Sequence, residues 1–74
     1  MNERFPGGAL VSQIEVTSTT VRRGDVIQLG GRAYRVQDLF QLSQGAKQLL
    51  FESGELLTIH ARTRLAAVRT MRRR

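Results

Sequence analysis

Two adjacent glycines in the middle of the chain constrain its fold more than any other feature of the sequence. Gly30 and Gly31 separate a short apolar segment, 26–29, from a longer segment, 32–42. Glycine adopts positive φ without steric cost, and two apolar segments joined by a Gly-Gly pair are typical of a β-hairpin. The sequence therefore predicts antiparallel strands at residues 26–29 and 32–42.

The longer of these strands carries one polar residue on an otherwise apolar face. Tyr34 and Val36 share a face because strand side chains alternate, and Phe40 and Leu42 continue it. We assign this face to the core. Asp38 falls on the same face, where an unpaired carboxylate is unfavourable. We therefore expect a β-bulge or a bend of the strand near Asp38.

Further short apolar segments, bounded by turn residues, predict strands on both sides of the hairpin. They lie at residues 47–52, 55–60 and 65–71, and residues 9–16 are a possible additional strand. Ser53-Gly54 is expected to form a two-residue turn. In the last segment Leu65, Val68 and Met71 recur every three residues, so an amphipathic helix competes with a strand. We favour the strand because the four preceding strands need a fifth to cover an exposed edge.

Five short strands and no clear helix indicate an all-β fold, either a small five-stranded SH3-like barrel or a strongly bent antiparallel sheet. We expect a flexible N-terminal arm at residues 1–8, a single domain at residues 9–71 and a basic tail at residues 72–74. A chain of 74 residues buries only roughly 60% of its unfolded surface. Self-association would add buried surface, so a homo-oligomer is an open alternative.

The segment from Arg23 to Val36, RGDVIQLGGRAYRV, resembles the opening hairpin of SH3-like barrels of the translation type. KOW-like domains and the N-terminal domain of elongation factor P are examples. The resemblance covers fourteen of the 74 residues and implies the barrel fold. The functional lysine loop of the elongation factor has no counterpart in residues 28–33. The whole chain also resembles short actinobacterial proteins, which implies a bacterial origin and no particular activity.

The composition excludes several classes of function. Cysteine is absent and His60 is the single histidine, which excludes disulfides and cysteine-based zinc sites. The carboxylates are scattered and no serine lies in a nucleophile motif, so we predict no enzyme, no metal and no cofactor. No apolar stretch exceeds four residues and none follows Met1. We therefore expect a cytoplasmic protein with no membrane contact and no signal peptide.

Positive charge is concentrated in the last fifteen residues. Residues 1–59 contain equal numbers of basic and acidic side chains, so the net charge of +6 lies in residues 60–74. Guanidinium groups bind phosphate in bidentate geometry. We therefore predict a non-enzymatic nucleic-acid-binding accessory protein of low sequence specificity. Its candidate phosphate-binding residues are Arg62, Arg64, Arg69, Arg72, Arg73 and Arg74, with Arg32, Arg35 and Lys47 as additions to the basic surface.

Two other interpretations stay open. In the first, the C-terminal arginines are a solvated tail that keeps the protein soluble, and His60 is a solvated residue at a strand end. In the second, the chain is a protein-interaction or self-associating module. Its contact surface would consist of the leucines opposite the core face, Leu39, Leu50 and Leu56.

The aromatic residues do not separate DNA from RNA as the partner. Single-strand binders stack bases on exposed aromatic rings. Here Tyr34, Phe40 and Phe51 fall on the faces assigned to the core. The predicted binding is therefore dominated by the phosphate backbone.

Overall fold

A computed structural model describes the backbone of residues 3–5 and 9–72 and the side chains of residues 11–70. Within these residues seven strands form one antiparallel sheet, in the order β1-β2-β7-β3-β4-β5-β6. The strands are β1 (Glu3–Phe5), β2 (Ala9–Val16), β3 (Val26–Leu29), β4 (Arg32–Gln41), β5 (Lys47–Phe51), β6 (Leu56–Ile59) and β7 (Leu65–Arg72). The fold is therefore all-β, as predicted. No helix in this part of the chain is long and apolar enough to cross a membrane.

The sheet is open, with β1 and β6 at its edges. It bends along β4, whose first half pairs with β3 and whose second half pairs with β5. Among the forms expected from the sequence, the structure is thus the strongly bent antiparallel sheet. The five strands predicted with most support are all present as β3 to β7.

The β3–β4 hairpin follows the prediction from the glycine pair. Leu29 pairs with Arg32, so Gly30 and Gly31 are the whole loop. Both have positive φ, 54° and 80°. Positive φ at both central residues is the requirement of a type I′ turn, and a side chain at either position would strain it.

Residues 65–71 are a strand, which excludes the helical alternative. β7 (Leu65–Arg72) pairs with β2 along its whole length, from Val16↔Leu65 to Ala9↔Arg72. On its other side it pairs with β3 at Val26 and Ile27. The predicted last strand therefore lies inside the sheet rather than at an edge.

The structure describes only parts of the expected arm and tail. Glu3–Phe5 is strand β1, paired with residues 9–11 of β2. Arg72 is the last residue of β7. The remainder of the predicted arm and tail, residues 1–2, 6–8 and 73–74, lies outside the described residues.

A β-bulge in β4 confirms the expectation for Asp38 and corrects the assignment of faces after it. The register shifts between Val36 and Asp38. Beyond the shift Leu39 pairs with the buried Leu49 and packs against the core, whereas Phe40 is 42% exposed. The predictions that Phe40 faces the core and that Leu39 faces away from it are therefore wrong, because the extra residue reverses the alternation. Leu42, 38% exposed, is not a core residue either.

The core lies on the concave side of the bend. Its members are apolar side chains from six strands and one loop, Val16, Val21, Ile27, Val36, Leu49, Phe51, Ile59 and Ala67. Tyr34 packs at its margin, with its ring centroid 5.1 Å from that of Phe51. Ser18 is also buried, and its Oγ donates to the carbonyl oxygen of Gly45 at 2.7 Å. This bond ties the loop after β2 to the 3₁₀ turn at Ser43–Gly45.

The β5–β6 turn is longer than the predicted two residues. The N–H of Phe51 donates to the carbonyl oxygen of Glu55 at 2.9 Å, which leaves three residues in the loop. Gly54 has φ 92°. A residue with positive φ at the end of the loop is typical of three-residue hairpin loops, in which a type I turn precedes it.

Candidate nucleic-acid interface

The turn before β3 is held by the side chain of its last residue. The N–H of Asp25 donates to the carbonyl oxygen of Arg22 at 3.1 Å, and Gly24 has φ 89°. In return, the backbone N–H of Arg22 donates to Oδ2 of Asp25 at 2.9 Å. Asp25 is 1% exposed, so its carboxylate lies beneath the turn rather than in solvent.

Arg69 of β7 supplies the counter-charge for this buried carboxylate. Its Nε donates to Oδ1 of Asp25 and its Nη2 to Oδ2, both at 2.8 Å. Nη2 also donates to the carbonyl oxygen of Thr20 at 3.0 Å. Two parallel N–H···O bonds are the strongest arrangement for this pair of side chains. The contact joins β7 to the loop between β2 and β3.

The ionisation of both groups reflects the same contact. Burial alone would raise the pKa of Asp25, but the hydrogen bonds from Arg69 and from the Arg22 N–H, together with their positive charges, outweigh it. The pKa of Asp25 therefore lies below its ordinary value. The hydrogen bonds to Asp25 raise the pKa of Arg69 against the opposing effect of desolvation. Both groups are therefore charged at neutral pH, in an ion pair whose carboxylate is buried and whose guanidinium is 23% exposed.

Four arginines surround a single pocket above this pair. We call it the arginine pocket; its volume is about 530 Å³, and it is lined by Arg22, Arg23, Gly24, Asp25, Arg35, Arg69 and Thr70. Arg35 reaches it from β4, because Arg35 pairs with Val26 at the start of β3. The fold thus brings together arginines from the turn before β3, from β4 and from β7.

Two arginines at the rim have exposed carboxylate neighbours. Nη2 of Arg23 lies 3.4 Å from Oδ1 of Asp38, and Nε of Arg35 lies 3.9 Å from Oε2 of Glu52. All four side chains are at least 38% exposed. Exposed ion pairs of this kind are worth about 0–1 kcal/mol, so a competing anion can replace either carboxylate at little cost.

The remaining basic residues predicted from the sequence lie elsewhere on the sheet. Arg32 and Arg64 lie at the end opposite Arg69, since Arg32 follows the hairpin loop and Arg64 precedes β7. Nη1 of Arg64 is 3.9 Å from Oε1 of Glu15. Arg62 lines a separate pocket with Leu42 and His60, and Lys47 begins β5, paired with Ile59.

The predicted phosphate-binding residues are therefore not one patch. The structure brings Arg35 and Arg69 together in the arginine pocket and separates them from Arg32, Arg62, Arg64 and Lys47. Arg72 ends β7, and Arg73 and Arg74 lie outside the described residues. Arg69 is already bound by Asp25 and is 23% exposed, unlike a solvated tail residue.

Arg22 and Arg23 were not among the phosphate-binding residues predicted from the sequence. That prediction rested on the net charge of the last fifteen residues, to which neither belongs. A signal was present, because two adjacent arginines precede a Gly-Asp turn. Charge counting along the chain does not show that Arg35 and Arg69, from distant segments, meet this doublet.

An apolar patch lies on the convex face of β4, β5 and β6. Leu50 pairs with Leu56 across β5 and β6, and Phe40 lies diagonally beside Leu50. Leu56 is 58% exposed and Phe40 42%. The leucine face predicted from the sequence is thus present with Phe40 in place of Leu39.

No cluster of three or more metal-ligating side chains occurs in residues 3–5 and 9–72. Comparison with known proteins adds no assignment: no family model, no curated protein and no solved structure matches the chain.

Proposed function

We propose that this protein is a non-enzymatic, cytoplasmic accessory protein that binds the phosphate backbone of nucleic acids with low sequence specificity. One observation carries the proposal: four of the five carboxylates of residues 11–70 each lie beside one arginine, and basic side chains outnumber acidic ones there by eight to five, which leaves a surplus of three positive charges. Asp25, Asp38, Glu52 and Glu15 each lie within 3.9 Å of one arginine. Among the side chains of residues 11–70, these cations have no carboxylate at ion-pair distance: Arg22, Arg32, Lys47 and Arg62.

The cations without a carboxylate at ion-pair distance are spread over the surface and are not concentrated in one segment. These four cations come from the turn before β3, the β3–β4 hairpin, β5 and the loop before β7. A polyanion that wraps several sides of a small domain would contact them together, whereas a base-reading protein needs a defined groove-fitting element. This distribution supports backbone contact without sequence readout.

The strand order supports grouping the fold with SH3-like barrels. Strands β3 to β7 are arranged β7-β3-β4-β5-β6, so the last strand lies beside the first of the five. This neighbour order is the one expected of an SH3-like barrel, although the sheet here is open, with β6 at an edge. β2 and β1 then extend the sheet beyond β7.

The proposal is tested by measuring affinity as a function of salt. A fluorescently labelled 16-base-pair DNA duplex and a 16-nucleotide RNA of mixed sequence are titrated at about 50 mM and about 200 mM salt. We expect both to bind, with little dependence on sequence, and log Kd to rise with log salt by about 0.9 for each duplex phosphate contacted. Absence of binding at the lower salt concentration contradicts the proposal, and so does an affinity that does not depend on salt.

The apolar patch favours a second candidate function, a protein-interaction or self-associating module. Phe40 and Leu56 are exposed on either side of the half-buried Leu50, and Leu56 lies on the open edge strand β6. Under this alternative, Leu50→Ser with Leu56→Ser reduces the oligomer size measured by sedimentation. The matched control, Arg32→Gln with Arg62→Gln, leaves it unchanged. A wild-type protein that sediments as a monomer at all concentrations rules out self-association.

A further inference from the structure

We infer that the arginine pocket binds a backbone phosphate of the nucleic acid, with Arg69 presenting its outer amino group and Arg22, Arg23 and Arg35 surrounding the anion. This inference rests on the proposed function and deepens it, since it assigns one of the phosphate contacts, and the largest share of the affinity, to a defined site. Arg22 and Arg23 are not among the residues that the charge distribution of the sequence singles out.

Arg69 keeps hydrogen-bond donors that its contacts with Asp25 and Thr20 do not use. A guanidinium group has five N–H donors in a fixed plane. Nε and Nη2 of Arg69 are engaged by Asp25 and by the carbonyl oxygen of Thr20. Nη1 has no partner among the described residues, and Arg69 lines the pocket. Two donors of a rigidly held guanidinium are therefore available to an anion in this pocket.

The buried carboxylate of Asp25 does not repel the anion from this site. Oδ1 of Asp25 accepts from Arg69, and Oδ2 accepts from both Arg69 and the N–H of Arg22. Its charge is compensated by the guanidinium that it orients. Asp25 is thus a positioning residue: it fixes Arg69 in advance, which removes the entropic cost of ordering a long side chain upon binding.

The arginines at the rim of the pocket are available to bind an anion. Arg22 has no carboxylate at ion-pair distance in the described part of the chain, and Arg23 and Arg35 have exposed partners at 3.4 Å and 3.9 Å. Such contacts are weak and are readily exchanged for a phosphate. With Arg69 matched by Asp25, Arg23 by Asp38 and Arg35 by Glu52, the site keeps one surplus positive charge, and its rim presents three exposed guanidinium groups to an anion that displaces the two outer carboxylates.

The size of the pocket admits more than an isolated phosphate. Its volume of about 530 Å³ lies within the range of pockets that hold small organic molecules. A phosphodiester with its neighbouring sugar fits this space, and so does a mononucleotide. The shared chemistry is a phosphate group, and the test must separate a strand from a free nucleotide or inorganic phosphate.

The test compares two triple variants with the same charge change. The pocket variant carries Arg22→Gln, Arg23→Gln and Arg35→Gln, which remove three cations from the pocket. The control variant carries Arg32→Gln, Arg62→Gln and Arg64→Gln, which remove three cations from elsewhere on the sheet. Both lower the net charge from +6 by the same amount. We expect the pocket variant to lose at least about tenfold more affinity for the 16-base-pair duplex, and its salt slope to fall by up to about 2.7. Amide spectra establish that both variants are folded.

Arg69→Lys tests the role of Arg69 without removing its charge. Lysine can keep an ion pair with Asp25 but has no second planar amino group. We expect a folded protein with several-fold weaker binding. In the wild type, the Nε–H resonance of Arg69 should shift on addition of the duplex. An Arg69→Lys variant of wild-type affinity contradicts the inference.

The outcomes separate failure of the inference from failure of the proposed function. Equal losses in the two triple variants overturn the pocket site and leave general backbone binding in place. If neither the duplex nor the RNA binds, both proposals fail. Titration with inorganic phosphate and with a mononucleotide then shows whether the pocket holds a free phosphate instead. Saturation of the Arg69 resonance by these small anions, without binding of a strand, assigns the pocket to a different ligand and overturns the inference.

Discussion

The ion pair between Asp25 and Arg69 is expected to contribute substantially to stability. Asp25 is almost fully buried and both its oxygens accept charged hydrogen bonds. Removing one partner of a buried pair leaves the other uncompensated. We expect Asp25→Asn to lower the free energy of unfolding by about 3 kcal/mol, measured by urea denaturation. Glu15→Gln, which breaks the exposed contact with Arg64, should cost less than about 1 kcal/mol; equal effects would contradict this interpretation.

The same pair predicts a pH dependence. The pKa of Asp25 is lower in the folded protein than in the unfolded chain because of Arg69 and the Arg22 N–H. A lowered folded pKa stabilises the fold above the unfolded value and loses that contribution as the pH falls. The stability difference between wild type and Asp25→Asn should therefore shrink below about pH 4. A difference that stays constant from pH 7 to pH 3 excludes the charged pair as its source.

A single register shift in β4 places two neighbouring apolar residues on opposite faces of the sheet. Leu39 packs against the core and Phe40 is exposed. We expect Leu39→Asn to lower the free energy of unfolding by about 2–3 kcal/mol and Phe40→Asn by less than about 1 kcal/mol. Thermal unfolding followed by circular dichroism measures both. A larger effect at Phe40 would mean that the alternation continues unbroken through Asp38.

The strands illustrate what the sequence could and could not predict. The glycine pair at 30–31 and the alternation of β3 and β4 depend on neighbouring residues, so their hairpin could be predicted. Asp38 indicated the bulge. The face of β4 on which Phe40 lies, however, depends on where the extra residue of the bulge is placed. The arginine pocket could not be predicted, because Arg23 and Arg69 meet through pairing of strands that are distant in the chain. The Asp25–Arg69 contact likewise depends on the whole sheet.

We expect the fold to require β2 but not β1. β1 pairs with three residues of β2, whereas β2 pairs with the full length of β7 and contributes the buried Val16. Deleting residues 1–8 should leave a cooperative unfolding transition. Deleting residues 1–16 removes Val16 and leaves β7 with only its two pairs to β3, and should abolish that transition. Dispersed amide resonances in the shorter of the two proteins would contradict this prediction.

The position of β7 has a consequence for synthesis. β7 lies between β2 and β3 but leaves the ribosome after every other strand of the sheet. While residues 65–72 are still inside the exit tunnel, a nascent chain has β2 and the β3–β4 hairpin exposed with their facing edges unpaired, and Asp25 without Arg69. The sheet can close around its core only after β7 has emerged and inserted between them. Until then the unpaired edges of β2 and β3 are open to pairing with other chains.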